Sequence, residues 1–251
     1  MMNTYPIIDI IDEAFEIPQL KRKRRISVLL PYDYHQTNKA YAVLYLHDGQ
    51  NLFDDYAPYG NWGVDKTLAA LAAFGLNDLI VVAIDHGGEL RIKELLPFQT
   101  PKFRESEGEL YLDFMMNSLK PIIDTRYRVK KDRASTGIGG SSLGGLISLY
   151  AGIQYDHVFG KLMIFSPSLW VSKDIFNVAR KKHFDQQTDI YLYAGGMESH
   201  DHLPNVSAMH ALLEEKYNLR LKFTTNPEGK HQEYFWGEQF PMAAKWLFYG
   251  D

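Results

Sequence analysis

The sequence predicts an α/β protein with a mainly parallel central sheet and helices on both faces. Residues 41–46 form a continuous apolar run, which is typical of a strand buried on both faces, and residues 79–85, apolar up to Ile84, are predicted to be the next buried strand. Segments with helical spacing alternate with such runs along the chain, and this alternation indicates a parallel sheet. Ligands of parallel sheets bind at the carboxyl ends of the strands, so we expect the functional residues in the loops that follow them.

The predicted elements follow one another in a simple order. Strands are predicted at residues 4–17, 26–31, 41–46, 79–85, 134–138, 161–166, 189–194 and 220–225. Helices are predicted at residues 61–74, 109–127, 146–151, 173–182, 205–217 and 239–249, and Pro121 marks a kink or the start of a last turn in the second of them. No internal repeat or linker is evident, so residues 1–251 are expected to form a single domain. A domain of this length can bury roughly 70–75% of the surface of the unfolded chain.

Composition and charge argue against several classes of function. The 27 basic and 31 acidic residues give a formal charge of −4, which argues against nucleic acid as the main partner. The chain has no cysteine, and this excludes disulfides, thiolate metal sites and a cysteine nucleophile. Residues 1–12 lack the pattern of a signal peptide, and no apolar run approaches about 18 residues, so we expect a cytoplasmic protein without a membrane partner. The oligomeric state is not indicated by any of these features.

A run of five basic residues, Lys21 to Arg25, precedes the second predicted strand. Such a run can be a nucleic-acid patch, but the acidic net charge favours another interpretation. We expect these residues to form a solvated hairpin edge, where their charge prevents edge-to-edge pairing with other chains.

The stretch Gly140-Ser141-Ser142-Leu143-Gly144 fits the pattern G-x-S-x-G and lies between a predicted strand and a predicted helix. In a nucleophile elbow, the central serine of this pattern occupies a strained turn that exposes its Oγ above the sheet. The flanking glycines allow strand and helix to approach closely, and the helix start supplies free N–H groups. Ser142 is therefore the candidate nucleophile, and the alternative is a loop that only turns the chain or binds an anion.

A serine nucleophile requires a base and an acid that orients the base. His231 is the candidate base among nine histidines, because it follows the last predicted strand and so lies at the carboxyl edge of the sheet. The acid should come from the loop after residues 189–194, where Glu198 is preferred to Asp201 since it lies nearer to the strand end. The resulting order of nucleophile, acid and histidine is that of α/β-hydrolases.

Two alternatives to serine chemistry stay open at this point. The segment after residues 189–194 also contains His200 and His202, which with Glu198 or Asp201 could serve as the ligands of a metal-dependent hydrolase. The second alternative is a non-catalytic binding protein with a hydrolase fold. We favour the serine mechanism, which requires neither a metal nor another cofactor.

Stabilisation of the oxyanion requires backbone N–H groups that point at the developing charge. One donor is expected from Leu143, directly after the nucleophile, and a second from the loop after residues 41–46. In that loop, His47-Asp48-Gly49-Gln50-Asn51, Gln50 is the preferred donor and Asn51 the alternative. The loop could instead be a polar turn with helix-capping residues.

Four motifs occur together in the chain: HDGQNLFD at 47–54, RIKE at 91–94, GSSLGG at 140–145 and GKHQEYFW at 229–236. In this order they resemble the putative esterase family of α/β-hydrolases, which groups enterochelin-type esterases, feruloyl and acetyl-xylan esterases, and S-formylglutathione hydrolase. The resemblance implies an α/β-hydrolase fold and a serine carboxylesterase. It also implies Ser142 as nucleophile, His231 as base, the acid in the Glu198 loop and the loop around Gln50 at the oxyanion hole. The family often has methionine where Leu143 stands, and the absence of cysteine disfavours the S-formylglutathione hydrolase branch.

The expected partner is a small-molecule ester with a small or medium acyl group. Siderophores, feruloylated or acetylated sugars and simple esters all belong to the range that the resemblance implies. Trp62 and Trp170 are the candidate residues for an acyl or aryl pocket. Arg91 and Glu94, in the loop after residue 85, are expected to pair with each other, and binding of an anionic substrate by Arg91 is the alternative.

Overall fold

One eight-stranded sheet forms the centre of the computed structural model, which describes residues 3–57 and 60–250. Its strands are β1 Ile7–Ile17, β2 Arg22–Leu30, β3 Ala42–His47, β4 Leu79–Ile84, β5 Thr136–Ser141, β6 Lys161–Phe165, β7 Thr188–Gly195 and β8 Leu219–Asn226. They lie in the order β1-β2-β4-β3-β5-β6-β7-β8. The pairs β1–β2 and β2–β4 are antiparallel, and all pairs among β3 to β8 are parallel. The predicted mainly parallel α/β sheet is confirmed.

Helices cover both faces of this sheet. They are α1 Gln50–Phe53, α2 Val64–Ala73, α3 Arg91–Leu95, α4 Gly108–Phe114, α5 Lys120–Arg126, α6 Leu143–Gln154, α7 Asp174–Lys181, α8 His202–Glu214 and α9 Glu233–Phe248. Helices α2 and α9 pack in one apolar core, and α4, α6, α7 and α8 pack in the other. Within the part of the chain that the structure describes, no helix is both long and apolar enough to cross a membrane.

Successive side chains of a strand point to opposite faces of the sheet, so the buried residues of each strand alternate between the two cores. In β3, Val43 and Tyr45 belong to the core with α6, whereas Leu44 and Leu46 belong to the core with α9. Every residue of β4 is buried, because the central strands are covered on both faces. This two-sided burial explains the continuous apolar runs in the sequence. The carboxyl ends of β3 to β8 lie along one edge of the sheet, where the site is expected.

The basic run at 21–25 lies in a hairpin as predicted, but it is solvated only in part, because Lys21 and Lys23 are exposed whereas Arg24 is buried. Strand β2 lies between β1 and β4, so that β1 is the edge strand. Arg24 is buried and donates to both carboxylate oxygens of the buried Glu94, each at 2.9 Å. Arg22 also contacts Glu94, at 2.8 Å. The run therefore supplies cations that attach helix α3, in the loop region after β4, to the hairpin.

The helical segment predicted at 109–127 is interrupted just before Pro121. Helix α4 is followed by a π-helical turn at Met115–Leu119, and α5 begins at Lys120. Proline has no N–H, and its ring clashes with the carbonyl four residues earlier, so it cannot continue regular α-helical hydrogen bonds with the preceding turn. The interruption lies where the sequence predicted a kink or a new turn.

Replacing Glu94 by Gln should destabilise the protein strongly. The substitution leaves Arg24 buried without a counter-charge, and removing one partner of a buried pair typically costs about 3–5 kcal/mol. We expect that loss in the free energy of unfolding measured by urea denaturation. Glu16→Gln removes an exposed pair with Lys23 and is the matched control, which should change the value by less than about 1 kcal/mol. Equal losses in the two variants would contradict the role given to Glu94.

Candidate active site

Ser142 occupies a strained turn between β5 and α6. Its backbone angles are φ 59° and ψ −121°, a region that residues other than glycine rarely adopt. The Ser142 N–H donates to the carbonyl of Phe165 at 3.0 Å, and the Ser142 carbonyl accepts from the N–H groups of Leu146 and Ser168, each at 3.0 Å. These bonds hold the turn in place. Such strain persists only where the surroundings enforce it, and it is concentrated at functional positions.

Two close approaches explain the glycines around Ser142. A Cβ at Gly140 would meet the backbone of Gly144 at 3.0–3.2 Å, and a Cβ at Gly145 would meet the carbonyl oxygen of Phe165 at 2.8 Å. Strand β5 and helix α6 therefore cross at a distance that glycine permits and a side chain would prevent. Helix α6 begins directly after Ser142, so its first N–H groups have no partner within the helix.

The structure brings the predicted base and acid together. Nδ1 of His231 lies 2.5 Å from Oε2 of Glu198. The side chain of Glu198 is 1% exposed and that of His231 is 38% exposed, so the pair reaches from the interior to the surface of the site. His231 and Ser142 line the same two cavities. Residues from the loops after β5, β7 and β8 thus line a common cavity at the carboxyl edge of the sheet.

Several donors keep Glu198 in its ionised form. Its Oε1 accepts from the Ser166 hydroxyl at 2.6 Å and from the Gly195 N–H at 2.8 Å. Burial alone would raise the pKa of Glu198, but the hydrogen bonds from His231, Ser166 and Gly195, together with the nearby His202, lower this pKa below its ordinary value. An ionised carboxylate in this position can orient the imidazole and stabilise its protonated form.

Ser166 connects Glu198 to Trp236, and the sequence analysis missed this connection. Ser166 Oγ donates to Glu198 and accepts from the indole N–H of Trp236 at 2.9 Å. The Trp236 ring also meets the imidazole of His231, with ring centres 4.9 Å apart and an angle of 88° between the planes. The position of Ser166 at the end of the predicted strand 161–166 is the one signal in the sequence that could have indicated its role.

Asp201, the alternative acid, lies away from His231. Its side chain is exposed and contacts His200, whose Nδ1 lies 2.9 Å from Asp201 Oδ1. His200 is exposed as well, so the structure does not bring it together with His202 as ligands of one metal ion. Among the described residues, the group that could hold a metal ion is instead formed by Glu198, His202 and His231, whose ligand atoms lie within 4.8 Å of one another.

The loop after β3 lies beside Ser142, where an oxyanion hole requires it. Helix α1 begins at Gln50, whose N–H therefore belongs to the free donors of a helix start. The Gln50 side-chain oxygen accepts from the backbone N–H of His86 at 2.9 Å. Asn51 lines the larger cavity together with Ser142, and its side-chain amide donates to Glu233 at 3.3 Å. The backbone N–H of Asn51 donates to the carbonyl of Asp48 at 2.8 Å, so Gln50 stays the candidate for the second backbone donor.

An ion pair between Asp48 and Arg91 joins the loops after β3 and β4. Nε and Nη2 of Arg91 donate to the two carboxylate oxygens of Asp48 at 2.6 and 2.8 Å. The expected pairing of Arg91 with Glu94 is therefore wrong, because Glu94 pairs with Arg22 and Arg24 of β2 instead. Burial alone would raise the pKa of Asp48, but Arg91 lowers this pKa below its ordinary value of 3.8.

Two cavities meet at Ser142 and His231. The larger, of about 1070 Å³, is lined mainly by polar side chains from the loops after β3, β4 and β8. The smaller, of about 440 Å³, lies on the side of the loops after β6 and β7. Ser168 lines this smaller cavity, and its Oγ lies 3.2 Å from the Oγ of Ser142. This contact with the candidate nucleophile was not predicted from the sequence.

The two tryptophans proposed for the pocket lie in different environments. Trp170 is half exposed and lines the smaller cavity, with Nζ of Lys102 at 5.2 Å from its ring centre and the Phe103 ring at 6.5 Å. Trp62 is buried, lines neither of these two cavities and packs against Trp236 at 6.3 Å between ring centres. The structure thus places Trp170 on a cavity wall, whereas Trp62 lies behind the wall in the core with α9.

The strand order and the turn at Ser142 are those of an α/β-hydrolase. Comparison with known families gives the same class, because the family described as putative esterase matches residues 17–247. The chain therefore belongs to the putative esterase family. Membership of this family supports activity as a carboxylic ester hydrolase.

Individual relatives are distant in sequence and close in fold. YbbA, an uncharacterised protein from Bacillus subtilis (strain 168), is 25% identical over 244 residues, which cover 90% of this chain and 92% of YbbA. The solved structure of a ferulic acid esterase has a TM-score of 0.77 and 20% identity, with 98% of both chains covered. The siderophore hydrolase EstB from Aspergillus nidulans has a TM-score of 0.77 and 18% identity, with 99% of this chain and 96% of EstB covered. The fold is thus shared along nearly the whole chain.

Replacing Asp48 by Asn should lower the free energy of unfolding at neutral pH and should lower it much less in acid. Since the pKa of Asp48 is lowered in the folded protein, its ion pair stabilises the fold above the ordinary pKa of 3.8, and this contribution is lost as the pH falls through the lower folded value. We expect the variant to lose about 1–3 kcal/mol in the free energy of unfolding at neutral pH. Denaturation curves across pH should show this deficit shrinking below about pH 4.

The control for this experiment is Asp55→Asn, which removes an exposed pair with Lys66. Its effect should stay below about 1 kcal/mol at every pH, because exposed pairs contribute little. A deficit of Asp48→Asn that stays constant between neutral and acid pH would contradict the role of the Asp48 charge.

Proposed function

We propose that the protein is a serine carboxylesterase that acts through an acyl-enzyme on a small or medium acyl ester. The observation that carries this proposal is the convergence of Ser142, with its φ of 59°, and His231, whose Nδ1 lies 2.5 Å from the buried Glu198. Membership of the putative esterase family supports the class of reaction. The proposal adds the serine nucleophile and the roles of the other two residues.

In the proposed mechanism, Ser142 Oγ attacks the ester carbonyl while His231 Nε2 accepts the serine proton. Nδ1–H of His231 is donated to Glu198, which leaves the lone pair of Nε2 free to act as the base. The carboxylate of Glu198 stabilises the imidazolium that forms. His231 then gives the proton to the leaving alcohol, and the acyl group stays on Ser142 until a water molecule, activated by the same imidazole, releases the acid.

Backbone donors stabilise the charge that develops on the carbonyl oxygen. The N–H of Leu143 is the first donor, and the second comes from the loop after β3, through the N–H of Gln50. Because such donors are fixed before the reaction begins, they require no reorganisation in the transition state, and loss of one typically lowers turnover ~10²–10³-fold.

The volumes and linings of the two cavities are suited to an ester of moderate size. The larger cavity of about 1070 Å³ has room and hydrogen-bonding groups for a polar portion. On the other side of Ser142, Trp170 offers an aromatic surface on which an aryl group can stack. Solved structures with this fold include a ferulic acid esterase and a siderophore hydrolase. We therefore propose feruloyl or acetyl sugars, siderophores or simple esters as the substrate class.

The first test replaces the nucleophile. Ser142→Ala should abolish hydrolysis of p-nitrophenyl acetate and labelling by a fluorophosphonate, because it removes the proposed nucleophilic hydroxyl, while circular dichroism should report an unchanged fold. Ser141→Ala is the matched control, since Ser141 is the neighbouring serine in the same cavity and should keep both activities. Turnover in Ser142→Ala close to that of the wild type would exclude the mechanism. Absence of labelling in the wild type would favour the alternative of a non-catalytic binding protein.

The second test separates the two candidate acids. Glu198→Gln removes the charge that orients and stabilises the His231 imidazole, so kcat should fall about 10²-fold or more. Asp201→Asn alters an exposed side chain that contacts His200 and should leave kcat nearly unchanged. Hydrolysis of p-nitrophenyl acetate by both variants provides the measurement, and the reverse ranking would assign the role to Asp201.

A further inference from the structure

A second histidine lies against the carboxylate of Glu198, and the proposed mechanism does not use it. His202 is 4% exposed, and its Nε2 lies 3.1 Å from Oε2 of Glu198. The direction of this contact does not permit a hydrogen bond, so the buried Nε2 of His202 has no hydrogen-bond partner among the residues that the structure describes. Leaving a buried polar atom unsatisfied typically costs about 1–3 kcal/mol. An atom of this kind at the edge of a site suggests that it serves a ligand.

The two histidines approach the same carboxylate oxygen. Oε2 of Glu198 lies 2.5 Å from Nδ1 of His231 and 3.1 Å from Nε2 of His202, and the two imidazole centres are 5.8 Å apart. The three ligand atoms lie within 4.8 Å of one another. A tetrahedral Zn²⁺ with bonds of about 2.0–2.2 Å holds its ligand atoms about 3.4 Å apart. The distances between the ligand atoms must therefore change by about 1 Å to fit zinc. A small outward rotation of the partly exposed His231 ring is enough for this change.

The donor set and the access both favour zinc. Two imidazole nitrogens and one carboxylate oxygen make up a set that binds Zn²⁺ and leaves a fourth position for water. Hard cations such as Mg²⁺ and Ca²⁺ prefer oxygen ligands and fit this set poorly. Glu198, His202 and His231 all line the smaller cavity of about 440 Å³, through which an ion can reach them from solvent.

We propose that Glu198, His202 and His231 form an inhibitory Zn²⁺ site, an inference that rests on the proposed role of His231 as the base. In the active arrangement, Nδ1 of His231 carries the proton and Nε2 carries the lone pair. A zinc ion bound to Nδ1 displaces that proton to solvent, and Nε2 takes up a proton from solvent in exchange, so the ring stays neutral with its single proton on Nε2. An Nε2–H group cannot accept the proton of Ser142. Zinc therefore switches off the base by fixing the opposite tautomer, and it also removes the Glu198 contact that orients the ring.

The test measures zinc binding and hydrolysis separately. Protein treated with EDTA and then freed of the chelator is titrated with ZnCl₂ in a calorimeter, and p-nitrophenyl acetate hydrolysis is followed over the same zinc concentrations. We expect one Zn²⁺ per chain, a fall in hydrolysis that follows occupancy of the site, and full recovery when EDTA is added. The same titration with MgCl₂ should show neither binding at this site nor inhibition.

Two variants test the assignment of the ligands. His202→Phe keeps a ring of similar size but removes the nitrogen, so zinc affinity should fall about 100-fold or more, since even changes outside the ligand set cost 10–100-fold. His200→Phe is the matched control two residues earlier, and it should keep both zinc affinity and inhibition, because His200 is exposed and is not a ligand. The inhibition of each variant is expressed relative to its own metal-free rate, so a change in basal turnover does not enter the comparison.

The results of these experiments distinguish a failure of the zinc site from a failure of the proposed serine mechanism. Ser142→Ala should bind zinc as the wild type does, because Ser142 is not a ligand, and the calorimetric result is therefore independent of catalysis. Lack of zinc binding by the wild type, unchanged affinity in His202→Phe, or zinc binding without inhibition would each overturn the inhibitory site and leave the serine mechanism intact. Stimulation of hydrolysis by zinc would also overturn it. Persistent hydrolysis by Ser142→Ala would instead refute the proposed function, while calorimetry would still decide whether the zinc site exists.

Discussion

The close crossing of β5 and α6 is the constraint on which the rest of the site depends. Because glycine backbones meet at this crossing, the chain turns sharply at Ser142 and its Oγ stands above the sheet. The N–H and the carbonyl of Ser142 are both bonded to the segment after β6, through Phe165 and Ser168. A strained residue typically costs about 1–3 kcal/mol, and these bonds help to hold it. The same turn therefore fixes the position of the loop that supplies Ser166 and Ser168 to the site.

Among the described residues, three of the five non-glycine positions with a positive φ lie at the carboxyl edge of the sheet. Asp48, Ser142 and Ser166 have φ values of 59°, 59° and 41°, and each directly follows or ends a neighbouring strand of the sheet. The side chain of each one contacts another loop: Asp48 binds Arg91, Ser142 contacts Ser168, and Ser166 binds Glu198. A left-handed turn after a strand redirects the side chain across the edge of the sheet instead of along the strand. The loops are thereby connected to one another, which keeps the side chains of the site in fixed relative positions.

The sequence contained the order of the elements and the main candidates for the site, because both depend on local signals. Apolar runs define the buried strands, and the residues that follow these runs must lie at the carboxyl edge, which located Ser142, Glu198 and His231. Contacts between segments far apart in the chain have no such local signal. Arg24 and Glu94 are separated by 70 positions, and nothing in the basic run indicates that one of its members is buried. Equally, composition cannot distinguish a tryptophan behind a cavity wall, such as Trp62, from one that lines the cavity.

The charge of Glu198 links catalysis to cation binding. Among the described residues, the ion-pair partners of this carboxylate are two histidines, and no lysine or arginine is paired with it. In the resting state its negative charge is stabilised mainly by hydrogen-bond donors that carry no full charge, such as the Ser166 hydroxyl and the Gly195 N–H. A buried anion without a permanent counter-ion interacts most strongly with a positive charge that arises beside it, and in the proposed mechanism that charge is the His231 imidazolium. A lysine or arginine paired with Glu198 would weaken this effect, and such a pair would also compete with the proposed zinc ion for the carboxylate.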